Sequence, residues 1–187
     1  TVTNSKYTTL LATATGTSDN NNITDTSTNN HSITVNGDTH AGTFSPYRSG
    51  GYSTSFSRSN SSNLEIASMP AIGSGDCSIE FWCKIDSQAW NGIISRGAYN
   101  SSGTFSLSSR SGDTELTLIW SGTIYTTSGA NIDVDQWKWV QIIRSSGTVT
   151  IYVNGSSVGS WANSSNVSST SNYIIGRVDS SDYFGGC

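Results

Sequence analysis

Proline is nearly missing from this chain, with two in 187 residues, and charge is thin, with acidic and basic residues together making up 12%. Histidine occurs only at His31 and His40, and glutamate only at Glu65, Glu80 and Glu115. The three cysteines and two histidines show no Cys-x-x-Cys or His-x-x-x-His spacing, so no zinc site of those kinds is written here. Nine lysines and arginines are scattered without a cluster, and the net charge is −4, which argues against nucleic acid. No apolar run reaches the roughly 18 residues of a membrane span. The opening TVTNSKYTTLL has neither the charged start nor the apolar stretch of a signal peptide, and no initiating Met. A processed chain or a piece of a longer one is therefore expected.

What is present is serine, threonine, asparagine and glycine, punctuated by six Trp, eight Tyr and five Phe. A disordered chain would lack those aromatics. Threonine and aromatic residues favour strands, while Asn, Gly and Ser favour tight turns. No segment has helical periodicity, so the profile is all-β, and the length suits one sandwich over residues 1–187.

The stretch GDCSIEFWCKID alternates: Cys77, Ile79, Phe81, Cys83 and Ile85 share one parity, Ser78, Glu80, Trp82 and Lys84 the other. Period two with one apolar set predicts a half-buried strand over Cys77–Ile85. At about 3.3 Å per residue, Cys77 and Cys83 lie about 20 Å apart, far beyond the roughly 7 Å between Cα atoms that a disulfide spans. Both read as small buried hydrophobes with free thiols. The alternate face, with Glu80, Trp82 and Lys84, reads as solvated.

Further strands are predicted at Tyr7–Ala12, Ser32–Val35, Tyr52–Phe56, Leu64–Ala67, Gly92–Arg96, Thr104–Ser108, Glu115–Trp120, Trp137–Arg144, Thr148–Val153, Ser156–Trp161 and Tyr173–Arg177. Ser145-Ser146-Gly147 signals a hairpin, and Asn154-Gly155 signals a type I′ turn. In WKWVQIIRS the apolar residues fall on both parities. Either Val140 and Ile142 face the core with Trp139 outside, or the reverse holds; apolar residues on both faces imply a central strand covered on both sides or an outward aromatic with a task.

The order GGYSTSF, NLEIA, GSGDCSIEFWCKID, GIISRG, FSL, LTLIW, DVDQWKWVQIIRSSGTVTIYVNG, YIIGR, YFGG resembles the laminin-G-like, concanavalin A-like jelly-roll family along nearly the whole chain. The resemblance implies an all-β sandwich of two antiparallel sheets, with Cys77 and Cys83 where the family usually has plain core hydrophobes. The N-terminal stretch, TTLLATATG and ITDTSTNNHSITVNGDTHAGTFSPYRSGGYSTSF, resembles versions of this domain in structural proteins of tailed phages, marine and cyanobacterial ones among them. That implies a non-enzymatic fibre or decoration module on a virion surface, with other virion proteins or neighbouring copies as partners and host-surface glycans as a contact. A secreted or surface lectin module is the alternative reading, and a glycoside hydrolase the third. Such domains continue past YFGG with one more strand. The chain stops at Gly185-Gly186-Cys187, so either a longer chain or a neighbouring subunit is expected to supply a strand beside Tyr7–Ala12.

Glycoside hydrolysis needs two carboxylates, about 5 Å apart for retention and wider for inversion. The Glu-x-Asp-x-x-Glu strand of the glucanase relatives is absent. The two histidines sit in polar loop contexts, and no nucleophile elbow exists. Calcium is the one ion the resemblance leaves open, through Asp25 in TDTSTNN. Thr28 stands where glycine is usual and acidic partners are missing, so capping of a turn by Asp25 is the expectation, and no other cofactor is implied. For carbohydrate contact the candidates are the loop aromatics Trp90, Tyr99, Tyr47 and Tyr183.

Overall fold

The computed structural model describes residues 7–14, 19–42 and 51–187. All its strand pairs are antiparallel. In chain order the strands are β1 (Ala12–Ala14), β2 (Ile23–Asp25), β3 (Ile33–Asn36), β4 (His40–Gly42), β5 (Ser53–Ser55) and β6 (Asn63–Ile66). The middle of the chain gives β7 (Cys77–Cys83), β8 (Asn91–Arg96), β9 (Phe105–Ser109), β10 (Leu116–Trp120) and β11 (Thr123–Thr126). The last third gives β12 (Lys138–Ser145), β13 (Thr148–Val153), β14 (Ser156–Ala162), β15 (Tyr173–Ile175), β16 (Arg177–Val178) and β17 (Asp182–Tyr183).

Two sheets face each other. One has seven strands in the order β11-β10-β9-β8-β15-β6-β3, the other four in the order β14-β13-β12-β7. The first contributes Leu64, Ile66, Ile94, Leu107, Leu118 and Trp120 to the core, the second Cys83, Val140, Ile142, Val149 and Ile151. Each such aliphatic side chain contributes about 1.5–3 kcal/mol on full burial. Val140 and Ile142 are buried, so Trp139 is the outward residue of β12. The meander β12–β13–β14 rests on two turns with left-handed residues, Ser146-Gly147 and Asn154-Gly155 (φ 51° and 81°), the latter as its sequence predicts for a type I′ hairpin.

Two arginines are interred without a carboxylate among the described residues. Arg144 donates to the carbonyls of Gly75 (2.6 Å), Gly73 (3.0 Å) and Ser165 (3.2 Å), and its guanidinium lies 5.0 Å from the Trp120 ring centroid. Arg96 donates to Ser171 (3.0 Å), Met69 (2.6 Å) and Pro70, and stacks 4.4 Å over Tyr173. The guanidinium fork satisfies several carbonyls at once. Both side chains thereby tie the connections before β7 and before β15 to the core.

The sequence-derived expectations need correction at the two ends. Thr8–Leu11 is not strand, and β1 begins only at Ala12. At the C-terminal side the tail makes isolated antiparallel bridges to the body of the domain. Gly186 exchanges backbone hydrogen bonds with Phe56 (2.8 and 3.1 Å), Cys187 does so with Lys84 (2.7 and 2.9 Å), and Asp86 N–H donates to Gly185 (3.0 Å). The tail lies between the segment that follows β7 and Phe56, just after β5. Its neighbour is Phe56, not Tyr7–Ala12. Gly186 is required there: its φ is +134°, and a Cβ would stand 2.0 Å from the Lys84 carbonyl oxygen.

Candidate functional site

Alternation along β7 and β12 puts two sets of outward side chains side by side. The register pairs Trp82 with Trp139 and Glu80 with Gln141, and continues from Gln141 to Tyr152 on β13 and from Tyr152 to Ser157 on β14. The Trp82 and Trp139 rings are nearly parallel, 18° apart, with centroids 6.4 Å from each other. Glu80, Phe81, Trp82 and Trp139 line an open depression of about 350 Å³. The backbone of Trp139 is fixed from the β13–β14 turn, because its main-chain N–H donates to Asn154 Oδ1 (2.9 Å) and its carbonyl accepts from Asn154 N–H (2.8 Å). An aromatic rung therefore lies beside a rung of carboxylate, amide, phenol and hydroxyl. Apolar ring faces with adjacent polar groups suit a ligand whose own faces alternate in polarity.

The chain signalled this surface only in part. The parity of Trp82 is plain in CSIEFWC, but that face reads as solvated, whereas Trp82 is half-buried beside Trp139. Their meeting depends on the β7–β12 register, which no local pattern encodes.

The loop aromatics are dispersed. Trp90, 40% exposed, immediately precedes β8 on a braced loop. Arg58 donates to the Trp90 carbonyl (2.7 Å), and the buried Asn91 amide donates to Ser87 and Ala89 carbonyls and to Ser109 Oγ, each at 3.0 Å. Tyr99, 43% exposed, follows the opposite end of β8, so the two are about 20 Å apart along the strand. Tyr183 lies on β17, half-buried, with the Arg177 guanidinium 5.7 Å from its ring centroid. Tyr47 falls outside the described residues. The structure does not gather Trp90 and Tyr99 into one platform.

Asp25, Glu115 and Glu65 each have partners of their own. Asp25 is buried and accepts from Leu11 N–H and Ser27 N–H through Oδ1, both 2.9 Å, and from Ser27 Oγ (2.9 Å) and His31 N–H (2.8 Å) through Oδ2. Burial pushes its carboxyl up, but these four donors outweigh it and hold the group below the usual aspartate range. Both oxygens are taken by the turn it organises, and no group of three potential metal ligands occurs among the described residues. Glu115 is held low in the same way: burial raises it, but the Thr127 hydroxyl (2.6 Å) and the N–H groups of Gly129 (2.7 Å) and Ala130 (3.2 Å) prevail. Glu65 pairs with Arg177 at 3.4 Å. Opposite Glu80 stand Gln141 and then Tyr152, with no carboxylate on that rung.

The sequence profile described as the concanavalin A-like lectin/glucanases superfamily matches residues 58–187. No curated protein matches the chain. Among solved structures, domain 4 of AbnA, a GH43 extracellular arabinanase from Geobacillus stearothermophilus determined with arabinotriose, aligns at TM-score 0.61 and 17% identity, over 84% of this chain and 78% of its own. A protein from Bacteroides ovatus described as a candidate carbohydrate binder aligns at TM-score 0.57 and 17% identity, over 71% of this chain and 40% of its own. A carbohydrate esterase from Shiga toxin-encoding bacteriophage phi24B aligns at 0.54 and 11%, over 82% and 85%. At these identities the likeness is one of fold.

Proposed function

Because the chain belongs to the concanavalin A-like lectin/glucanase superfamily, we propose that it is a non-catalytic carbohydrate-binding module whose sugar-contacting surface lies on β7 and β12. The parallel Trp82–Trp139 pair above an open depression carries this reading. Sugar rings present C–H faces that stack on indoles and hydroxyl edges that reach amide, phenol and carboxylate groups. Glu80 without a carboxylate opposite it supports binding without hydrolysis, since glycosidases of the usual kind work with a pair. Trp90, exposed on a loop held from beneath, is the loop aromatic best placed to add a separate contact.

The setting we propose is a phage virion surface, as one unit of a longer chain beside other virion proteins or neighbouring copies. It is supported by the resemblance of the N-terminal stretch to phage structural proteins.

A glycan array followed by calorimetric titration tests the binding. Trp139→Ala should weaken the best glycan about tenfold or more, as expected for loss of a stacked ring. Binding that survives both Trp82→Ala and Trp139→Ala but is lost in Trp90→Ala would move the site to the loop. An array without a binder overturns the reading.

A further inference from the structure

An asparagine followed by glycine is open to attack on its own side chain, because glycine brings no Cβ to hinder its main-chain nitrogen. The chain has three such pairs: Asn36-Gly37, Asn91-Gly92 and Asn154-Gly155. The fold locks two of them. Asn91 is fully buried, and its amide nitrogen donates to the Ser87 and Ala89 carbonyls and to Ser109 Oγ. Its oxygen accepts from Gly185 N–H (3.1 Å), and a Cβ on Gly92 would stand 2.1 Å from the Asp182 carbonyl oxygen. Asn36 is half-buried, its amide nitrogen donates to Asn63 Oδ1 (3.1 Å), and a Cβ on Gly37 would stand 2.3 Å from the Asn60 carbonyl oxygen. Asn154 and Gly155 are both exposed, and among the described residues nothing lies within 4 Å of the Cβ position of Gly155. The Trp139 N–H points at Asn154 Oδ1 (2.9 Å), the atom on which negative charge builds when a nucleophile adds to Cγ.

We propose that Asn154 is a site of spontaneous deamidation, and that one of its two products releases Trp139. The Gly155 nitrogen adds to Asn154 Cγ and gives its proton to water. The Cγ–Nδ2 bond breaks, the leaving nitrogen takes a proton from water, and ammonia departs from a cyclic imide. A water molecule then opens the ring. Cleavage of the new N–Cγ bond gives aspartate. Cleavage of the original bond to the backbone carbonyl carbon gives isoaspartate, whose chain runs through Cγ. One water is consumed, one ammonia is released, and nothing is oxidised or reduced. Asp-Gly suits the same turn, and its carboxylate still accepts from Trp139 N–H, now in a charge-assisted bond. Isoaspartate adds a backbone methylene to a two-residue turn and removes the acceptor from its place, so Trp139 loses its partners at the end of β12. The inference concerns the hairpin and stands whether or not the adjoining surface binds sugar.

The test incubates the folded full chain in mildly alkaline buffer and follows each asparagine by peptide mapping, with isoaspartate located by enzymatic methylation. The Asn154 peptide should convert several-fold sooner than the Asn36 and Asn91 peptides, and unfolding should bring the three rates together. Conversion of Asn36 or Asn91 as early as Asn154, or an intact Asn154 after the unfolded chain has fully reacted, overturns the site. The aspartyl and isoaspartyl forms are then separated and their amide exchange compared. Exchange at Trp139 should quicken in the isoaspartyl form and stay slow in Asn154→Asp. Asn154→Gly keeps a turn that Gly-Gly also suits, so it should fold, resist conversion at this position and exchange quickly at Trp139. Equal protection of Trp139 in the isoaspartyl form and in Asn154→Asp overturns the release.

Discussion

Cys83 and Cys77 sit on the same face of β7, yet their thiols differ. Cys83 is buried, and burial, only partly offset by Lys138, pushes its thiol up to about 12. Cys77 is half-buried at the strand's start, and burial again raises it, tempered by Arg144. The thiolate is the reactive form, so native labelling by a thiol reagent should be slowest at Cys83, slow at Cys77, and fast at both only after unfolding. Rapid native modification of Cys83, or a mapped bridge between the two, would contradict this. Cys77→Val should cost less than about 1.5 kcal/mol, because it keeps an apolar group of similar volume. Asp25 sets an acid limit instead. Its folded carboxyl is held low, so the ionised form contributes stability in full above the unfolded pKa and loses it as pH falls through the folded value. Asp25→Asn should lower stability at neutral pH by about 2 kcal/mol and flatten the decline on acidification, read by denaturant titration across that range. An unchanged acid profile would mean that other carboxylates set it.

At the level of strands, the tail invites the sharpest perturbation. Gly186→Ala places a Cβ against the Lys84 carbonyl at a left-handed φ and should cost more than about 1 kcal/mol. The signature is local: amide exchange should accelerate at Phe56, Lys84 and Asp86, whose N–H groups the tail satisfies. Unchanged protection at those three amides would show that the tail is not held as described. The same region marks the limit of what the chain displays before folding. The longer strands β7, β12, β13 and β14 are legible because alternation or turn chemistry announces them. The two- and three-residue pieces β4, β5, β16 and β17 carry too few residues to show a period and exist only through their pairing, β16 with β17 and β4 with β5. Tyr7–Ala12 has strand-like residues, but ahead of Ala12 much of its backbone meets side chains: Leu11 N–H donates to Asp25, and the Thr9 carbonyl accepts from Ser27 and Asn29.

Across the whole molecule, family and architecture are legible because motif order and spacing hold through residues 58–187, whereas the surface formed by Trp82 and Trp139 is not. One half of it comes from β7 and the other from β12, and only the antiparallel register brings them face to face. The loop aromatics were visible as residue types, but the span of β8 keeps Trp90 and Tyr99 apart. The same register sets an amide, not a second acid, against Glu80. The protein should show no turnover on β-glucans at any pH where it stays folded, as followed by release of reducing ends. Hydrolysis that disappears in Glu80→Gln would refute this.

The insertion of Gly185–Cys187 between two neighbours has a mechanical side. The tail runs antiparallel to both the β7 extension and the chain at Phe56, and five backbone hydrogen bonds flank it. A pull applied at Cys187 along the strand axis would load those bonds together, in shear, instead of opening them one after another. Traction across the sheet would peel them in sequence at lower force. The direction from which this module is tugged therefore decides whether the seam beside β7 acts as a lock or as a zipper.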